Sequence, residues 1–507
     1  MSVFATTHPF LFFDYFRVPY EVRAAGAAAL HALEVHACLG AVAPVPGEGA
    51  PAGAGGTPSR LLWLRADAGD PPVAAVAGSR PGRWTLGAVT LVGRLLPGTR
   101  PPSFLSPLGR DWRPAEEIRD ASGRPVASVW RDADGSVFLP FDPGEVMQTL
   151  WSERYTRLPG SAVPAAARAA LLRGYYLTRP AIPRSAQLAL RRRFTRVQVR
   201  TAFPRWPVEH SLHDLYAWLF RTLAGVAGGP VPWVGFWPGD RSWALVLTHD
   251  VETDAGCRDL ELLRGPERDL GYRSSWNFVP ERYPVDEGLL AGLRAQGCEV
   301  GVHGLRHDGR DLGSRRLLQE RLPRMRAAAD RWGAVGFRSP ATQRVWDWMP
   351  SLGFAYDSSY TDTDPYEPQP GGCCTYLPFL NRDLVELPIT LPQDHTVFAI
   401  LDHPDGEVWL HKARAIRRRG GMVLALTHPD YARDPRLARA WRDLLEEFRD
   451  DDTMWHALPR EAAQWWRRRN ASVVTRAAGG WSVRGPAAGE ARVRQATPEA
   501  SGLGEAA

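Results

Sequence analysis

The second half of the chain, from about residue 237, alternates short apolar runs with longer amphipathic stretches. Short apolar runs between turn residues predict strands, and apolar positions that recur every three or four residues predict helices. The predicted strands cover residues 243–248, 274–278, 299–303, 335–338, 385–391 and 422–427. The predicted helices between them cover residues 287–296, 314–332, 408–418 and 435–449. This alternation is typical of βαβ units and predicts a parallel sheet, open or closed into a barrel.

The chain of 507 residues is too long for one ordinary core, and its composition and hydrophobic pattern change along its length. A turn-rich first segment predicts a smaller N-terminal α/β domain, whose role no motif indicates, and a basic segment predicts a helical connector. The strand–helix alternation predicts the main α/β domain, and a tail rich in Ala, Gly, Pro and charged residues predicts disorder. The boundaries of these four segments are 1–145, 146–235, 236–470 and 471–507.

Weaker patterns predict the elements of the first two segments. In the N-terminal domain, short apolar runs predict strands and one longer amphipathic stretch predicts a helix. These strands cover residues 60–65, 84–91 and 136–141, and the helix covers residues 24–39. In the connector, amphipathic helices are predicted at residues 165–176 and 185–199, and the segment FPRWPVEHSLHDLYAWLF leads into a further one.

Composition and charge weigh against several classes of protein. The net charge of +6 comes almost wholly from arginines spread along the chain, so no nucleic-acid partner is expected. Five scattered cysteines, without a Cys-x-x-Cys pair, predict neither a disulfide framework nor a thiolate zinc site. We expect no transmembrane segment and a cytoplasmic location, because no apolar run could span a bilayer and the N-terminus has no leader pattern. The oligomeric state stays open.

Polar side chains follow four of the predicted strands at the point where each strand ends. They are Asp250 and Glu252 after ALVLT, His303 and His307 after EVGV, Arg338 after VGF, and His428 after MVLALT. Taken singly, such residues are more often helix caps, salt-bridge partners or hydrogen-bonded core groups. Because the carboxyl ends of parallel strands meet at one edge of the sheet, we expect these side chains to converge.

The converging side chains suit a metal site. Two imidazoles, from His303 and His307, and the carboxylate of Glu252 would leave a divalent ion with open positions for water and substrate. Zinc is the expected ion, with cobalt, nickel, manganese and iron as alternatives. Asp254 is the alternative carboxylate ligand.

The remaining strand-end residues suit acid–base chemistry beside that ion. Asp250 lies two residues before Glu252, so on an extended backbone the two side chains point the same way and Asp250 can act as general base. The guanidinium of Arg338 would keep Asp250 ionised and oriented. His428 would protonate the leaving group or stabilise the oxyanion.

The segments LVLTHDVE, GVHGLRH, VGFRSP and VLALTH, in this order, resemble the polysaccharide deacetylases of carbohydrate esterase family 4. The resemblance covers about residues 236–470. It implies a distorted, incomplete (β/α) barrel that uses a divalent metal to deacetylate N-acetylated sugars. Asp250 matches the family's base, and His428 matches the histidine of its last motif. The other matches are His303 and His307 with the metal histidines and Arg338 and Pro340 with the third motif.

Three departures from the family pattern affect the interpretation. The usual adjacent aspartates are replaced by Asp250, Val251 and Glu252, which resembles the branch with an Asp-x-Glu first motif. His249 stands where the family has Phe, and we expect it to pack at the strand end. The fourth motif has no clear counterpart, and Asp357, Asp394 and His395 are candidates for either pocket contacts or loop capping.

Three hypotheses follow. The first is removal of an acetyl group from an N-acetylated sugar, polymeric or carried on another molecule. The second keeps the fold and the metal but hydrolyses a non-sugar amide of the cyclic ureide type, as related branches of the family do. The third is a catalytically inactive carbohydrate-binding or scaffold protein, which the complete set of Asp250, His303, His307, Arg338 and His428 disfavours.

Overall fold

The structure of the chain, a computed structural model, describes residues 10–22, 32–36, 59–64, 80–106, 109–158, 192, 203–477 and 480–503. The strands are β1 Glu21–Val22, β2 Ala32–His36, β3 Leu61–Leu64, β4 Arg80–Leu86, β5 Val89–Leu95, β6 Arg113–Arg119, β7 Pro125–Arg131, β8 Val137–Leu139, β9 Val231–Val234, β10 Trp243–Val251, β11 Ser275–Phe278, β12 Glu299–His303, β13 Gly336–Arg338, β14 Tyr356–Asp357, β15 Phe379–Asn381, β16 Leu384–Glu386, β17 Met422–Thr427, β18 Met454–His456, β19 Val473–Ala477, β20 Gly480–Arg484 and β21 Val493–Ala496. The α-helices are α1 Leu11–Phe16, α2 Pro143–Trp151, α3 Ser211–Ala227, α4 Asp254–Asp259, α5 Glu261–Asp269, α6 Glu287–Ala295, α7 Arg315–Trp332, α8 Glu407–Arg418, α9 Pro435–Phe448 and α10 Pro459–Asn470.

The C-terminal half forms a curled sheet in the order β15-β16-β14-β13-β12-β11-β10-β17. From β16 to β17 all neighbours are parallel, and only β15 runs antiparallel to its neighbour. The chain after β16 meets β17, because the Thr390 backbone N–H donates to the Leu424 carbonyl at 3.1 Å and the Thr390 hydroxyl donates to the Met422 carbonyl at 3.0 Å. The expected α/β class is therefore confirmed, with a sheet curled into an incomplete barrel.

Local sequence explains most of this half. All nine residues of β10 are buried, as expected for a parallel strand covered on both faces. Helices α6, α7 and α9 have the N-cap residues Asp286, Ser314 and Asp434, whose side chains accept hydrogen bonds from the first-turn N–H groups. The strands predicted at 299–303 and 422–427 match β12 and β17, whereas the one predicted at 385–391 is limited to β16.

The N-terminal part forms an eight-stranded sheet in the order β1-β2-β3-β8-β7-β6-β4-β5. The helix predicted at 24–39 is wrong for residues 32–36, which form β2 between β1 and β3, because backbone pairing outweighs the weak helical preference of this segment. The single strand predicted at 84–91 is also wrong. These residues contain the end of β4, a two-residue turn at 87–88 and the start of β5, and Gly87 in the turn adopts a φ of +56° that glycine permits.

Parts of the connector and of the tail lie outside the described residues. The helices predicted at 165–176 and 185–199 lie outside the described residues, apart from Arg192. The tail at 471–507 is predicted to be disordered, and this is wrong for its described residues. Strands β19 and β20 form a hairpin, and β21 pairs with β9. Ala487 and Ala491 are buried against the body of the protein, a contact that composition does not predict.

The N-terminal sheet and the barrel share one continuous hydrophobic core. Helix α1 inserts aromatic side chains between them, and the Tyr15 hydroxyl donates to the Pro378 carbonyl at 2.9 Å. A buried ion pair joins the segment after α2 to the barrel, since Arg344 Nε lies 2.9 Å from Glu153 Oε2. None of the described helices is long and apolar enough to cross a bilayer.

Replacement of Glu153 by Ala is expected to lower the free energy of unfolding by about 3–5 kcal/mol, because it leaves the Arg344 guanidinium buried without its counter-charge. Denaturant unfolding followed by tryptophan fluorescence measures this. Glu446→Ala is the matched control, since Glu446 pairs with the exposed Arg442 on the surface of α9 and its loss should leave the unfolding curve unchanged. If both variants lost the same free energy of unfolding, burial of the ion pair would not be the cause.

Candidate metal and catalytic site

The strand-end side chains meet at one rim of the barrel. Asp250 is the penultimate residue of β10, His303 the last of β12 and Arg338 the last of β13, while His428 directly follows β17. These strands are parallel neighbours, so their carboxyl ends lie side by side. The expected convergence is thus present in the structure, and the role of each residue stays a proposal.

Three side chains offer ligand atoms to one point. Glu252, His303 and His307 each present an atom within 4.8 Å of the others'. The Nε2 atom of His307 lies 2.9 Å from Glu252 Oε1. Asp254 is not part of this group: it lies on α4, its side chain is 59% exposed, and it pairs with Arg258. Of the two alternative carboxylates, the structure therefore brings Glu252 to the histidines.

The donor set fits a divalent metal ion. Burial lowers the pKa of His303 to about 4, so its imidazole is neutral at pH 7, the form that binds metals. Within the described part of the chain, His303 Nε2 is buried and has no hydrogen-bond partner, while Nδ1 lies 3.1 Å from the Arg338 carbonyl. An N–H on Nδ1 would donate to that carbonyl and leave the Nε2 lone pair free. Two nitrogen donors and one carboxylate suit zinc or a similar ion.

Asp250 is held as a carboxylate beside this group. Its Oδ1 accepts from Asn277 Nδ2 at 2.8 Å and from Arg338 Nη1 at 3.2 Å, and its Oδ2 lies 3.6 Å from His303 Nε2. Burial opposes ionisation, but nearby positive charges, among them Arg338 and His428, and the Asn277 hydrogen bond outweigh it and lower the Asp250 pKa. The group is therefore a proton acceptor at neutral pH.

Arg338 is fixed on every side. It is 1% exposed, and besides Asp250 it donates from Nη1 to the Thr248 hydroxyl at 2.8 Å. The Nε and Nη2 groups donate to the carbonyl and hydroxyl of Ser358, at 2.8 Å and 2.7 Å. A guanidinium with this many partners cannot swing away, so it sets the position of the Asp250 carboxylate.

His428 is paired with Asp394. The Nδ1 atom lies 2.6 Å from Asp394 Oδ1, and the His428 backbone N–H donates to Oδ2 at 2.7 Å. Burial opposes protonation of the ring, but the Asp394 carboxylate more than offsets it and raises the His428 pKa to about 10. The Nε2 atom lies 3.7 Å from Glu252 Oε1 and faces the ligand group. His428 is thus a proton donor that faces the ligand group.

The candidates for the missing fourth motif separate in the structure. Asp394 contacts His428, whereas Asp357 accepts hydrogen bonds from Ser359 in its own loop. The ring of His395 lies next to Tyr431, with 5.2 Å between the centroids. His249 is fully buried, as expected, with its ring nitrogens 2.7 Å from Thr427 Oγ1 and from Glu267 Oε1.

Asn277 is a site residue that the sequence interpretation missed. It lies at the end of β11, so the same strand-end rule that selected Asp250 could have found it. The neighbouring β12 residue is Gly301, and a Cβ built on it would overlap Asn277 Oδ1. The small residue at 301 therefore leaves the space that Asn277 needs to reach Asp250.

We expect Gly301→Ala to lower the free energy of unfolding by about 1–3 kcal/mol, because the added methyl group forces Asn277 out of a fully packed site. Gly292→Ala is the control. Gly292 lies in α6 with open space around its Cα, so alanine should stabilise the helix by about 0.5–1 kcal/mol. Chemical unfolding of both variants measures this, and stabilisation of both would contradict the packing interpretation.

The sequence matches no protein-family profile and no curated protein. Similar solved structures include a "probable polysaccharide deacetylase" from Pseudomonas aeruginosa PAO1, with 18% identity, a TM-score of 0.39, and coverage of 46% of this chain and 94% of that one. The Puue allantoinase has 15% identity, a TM-score of 0.39, and coverage of 53% and 98%. The peptidoglycan deacetylase PdaC from Bacillus subtilis has 11% identity, a TM-score of 0.31, and coverage of 45% and 94%. At these identities and scores, the similarities do not assign the chain to a family.

Proposed function

We propose that this chain is a metal-dependent hydrolase that removes the acetyl group from an N-acetylated sugar, free or within a polysaccharide or glycoconjugate. One observation carries the proposal: an ionised, buried Asp250 lies 3.6 Å from a histidine of the Glu252–His303–His307 group. A proton acceptor beside a metal-ligand set with open positions is the minimum that water-mediated amide hydrolysis requires.

Glu252, His303 and His307 would hold the ion. When bound, a divalent ion lowers the pKa of a coordinated water and polarises the substrate carbonyl. Asp250 accepts the proton from the attacking water at the oxygen that faces His303. Arg338 and Asn277 keep that carboxylate ionised and aimed at the ligand group, because both donate to its other oxygen.

His428 completes the proton balance. Amide cleavage must end with a proton on the leaving nitrogen, since an amide anion is too basic to depart. His428, kept protonated by Asp394, donates this proton from Nε2. Asp394 stabilises the positive charge of the ring until the proton is transferred. Asp250 and His428 thus divide the roles of base and acid, with environments that push their pKa values apart.

The chemistry of the donors supports zinc as the ion, and the four segments that resemble the deacetylases support an N-acetylated sugar as the substrate. The test is incubation of the purified chain with N-acetylated glycans and small N-acetyl sugars, with and without a chelator. We expect acetate release that the chelator abolishes and zinc restores. Ring opening of a cyclic ureide without acetate release would favour the second hypothesis. Absence of bound metal and of turnover would contradict the proposal.

A further inference from the structure

The peptide unit that joins Val251 to Glu252 is held at both of its polar groups by side chains from other elements. The Tyr283 hydroxyl donates to the Val251 carbonyl. The Glu252 N–H donates to Asp430 Oδ2 at 3.0 Å. Since these two groups belong to one planar unit, the two contacts together fix its rotation. Glu252 projects directly from that unit.

Asp430 also binds the next residue. Its Oδ1 accepts a hydrogen bond from the hydroxyl of Thr253, which in turn accepts from the Gly256 N–H at 3.2 Å. A Cβ built on Gly256 would overlap the Asp430 carboxylate, so the carboxylate packs directly on the backbone of α4. The segment that carries Glu252 is thus fitted around this one side chain.

Asp430 reaches this segment from a distant part of the chain. It lies in the short helix Pro429–Tyr431, which immediately follows His428, 178 residues from Glu252. Asp430 is not one of the three residues that offer ligand atoms to the metal point. Its contacts are made to the backbone and the hydroxyl of the ligand segment, and this distinguishes it from a ligand.

We propose that Asp430 and Tyr283 are positioning residues that clamp the 251–252 peptide and so present Glu252 to the cation. The inference rests on the proposed function, because it assumes that Glu252 is a metal ligand. A ligand on a mobile backbone must have that backbone ordered when the ion binds, and this ordering costs binding free energy that a peptide already fixed does not. Partners outside the ligand set commonly change metal affinity by about 10- to 100-fold.

The experiment measures the Kd for Zn²⁺ by competition with a chromophoric chelator, and records the Co²⁺ absorption spectrum of each variant. We expect Asp430→Asn to weaken Zn²⁺ binding by about 10- to 100-fold, because the amide is uncharged and offers one acceptor oxygen where the carboxylate offers two, to the Glu252 N–H and the Thr253 hydroxyl. Tyr283→Phe removes one hydrogen bond and should weaken binding by about 2- to 10-fold. Both variants should alter the Co²⁺ spectrum, a change that a loss of overall stability does not produce.

Two control variants remove the same chemical groups elsewhere. Asp259→Asn removes a carboxylate at the end of α4 that pairs with Arg433. Tyr272→Phe removes a hydroxyl that donates to the Leu445 carbonyl at 2.9 Å. Both should keep the wild-type Kd for Zn²⁺ and the wild-type Co²⁺ spectrum.

The outcomes separate this inference from the proposed function. If the wild-type chain does not bind Zn²⁺, the proposed function fails and the inference with it. If the wild type binds, but Asp430→Asn and Tyr283→Phe bind as the controls do, the clamp is overturned and the metal site stands. Should Asp430→Asn fail to fold, Tyr283→Phe and Thr253→Val decide. The first removes the hydroxyl that contacts the Val251 carbonyl, and the second removes the hydroxyl that contacts Asp430 and the Gly256 N–H.

Discussion

Replacement of Asp250 by Asn should lower kcat by about 10²- to 10⁴-fold while the affinity for the cation stays unchanged. The amide keeps the size of the carboxylate and can still accept one hydrogen bond from Arg338 or Asn277. It cannot take a proton from water at neutral pH, so the step that depends on a base is lost. Steady-state turnover at saturating Zn²⁺, together with a Zn²⁺ titration, separates this loss from a loss of metal.

Asp240→Asn is the control for that experiment. Asp240 is 89% exposed and pairs with Arg492 at the surface, so the same change in charge should leave both kcat and the Kd for Zn²⁺ unaltered. Full turnover by Asp250→Asn at saturating cation would show that another group accepts the proton. Loss of Zn²⁺ binding in Asp250→Asn would show instead that Asp250 belongs to the ligand set.

His303→Ala should weaken Zn²⁺ binding by more than about 100-fold, beyond what loss of an outer partner produces, and reduce turnover to that of the chelator-treated wild type. The variant removes the buried nitrogen that has no hydrogen-bond partner in the described part of the chain. Elemental analysis after gel filtration and a chelator competition give the metal content and the Kd.

His411→Ala serves as the matched control, since His411 is exposed on α8 and does not belong to the ligand group. It should retain metal and turnover. If His303→Ala kept stoichiometric zinc, the ion would have to bind elsewhere, and the assignment of Glu252, His303 and His307 would be wrong. If it lost zinc but kept turnover, the reaction would not need the ion.

The strand–helix alternation of residues 236–470 was readable from sequence, because parallel strands buried on both faces require near-continuous apolar runs. The placement of Asp250, His303, Arg338 and His428 at one rim followed from the same rule, since strand ends converge in any parallel sheet. Both inferences use information that is local in the chain. Local information fails at the β4–β5 hairpin. One glycine within an apolar run is only a weak turn signal, so the pattern predicts a single strand there.

The strand-end rule does not identify the residues that hold the strand-end groups in place. Asp394 reaches His428 across 34 residues, and Asp430 reaches Glu252 across 178. No spacing or periodicity distinguishes such aspartates from ordinary loop caps, because their partners become neighbours only in the folded chain. Asn277 was accessible to the strand-end rule but does not belong to the residue types that metal or acid–base chemistry first suggests.

By itself the sequence determined the α/β class of the C-terminal half and the set of chemical groups at its rim, because periodicity and residue type are properties of the chain. Tertiary structure decided which carboxylate faces the histidines: β10 remains extended through Val251, whereas Asp254 already lies in a helix that turns outward. It also decided that the described part of the tail contains paired strands, since β21 has no partner until β9 is beside it. Contacts between distant segments exist only after the chain has folded, and local sequence carries no record of them.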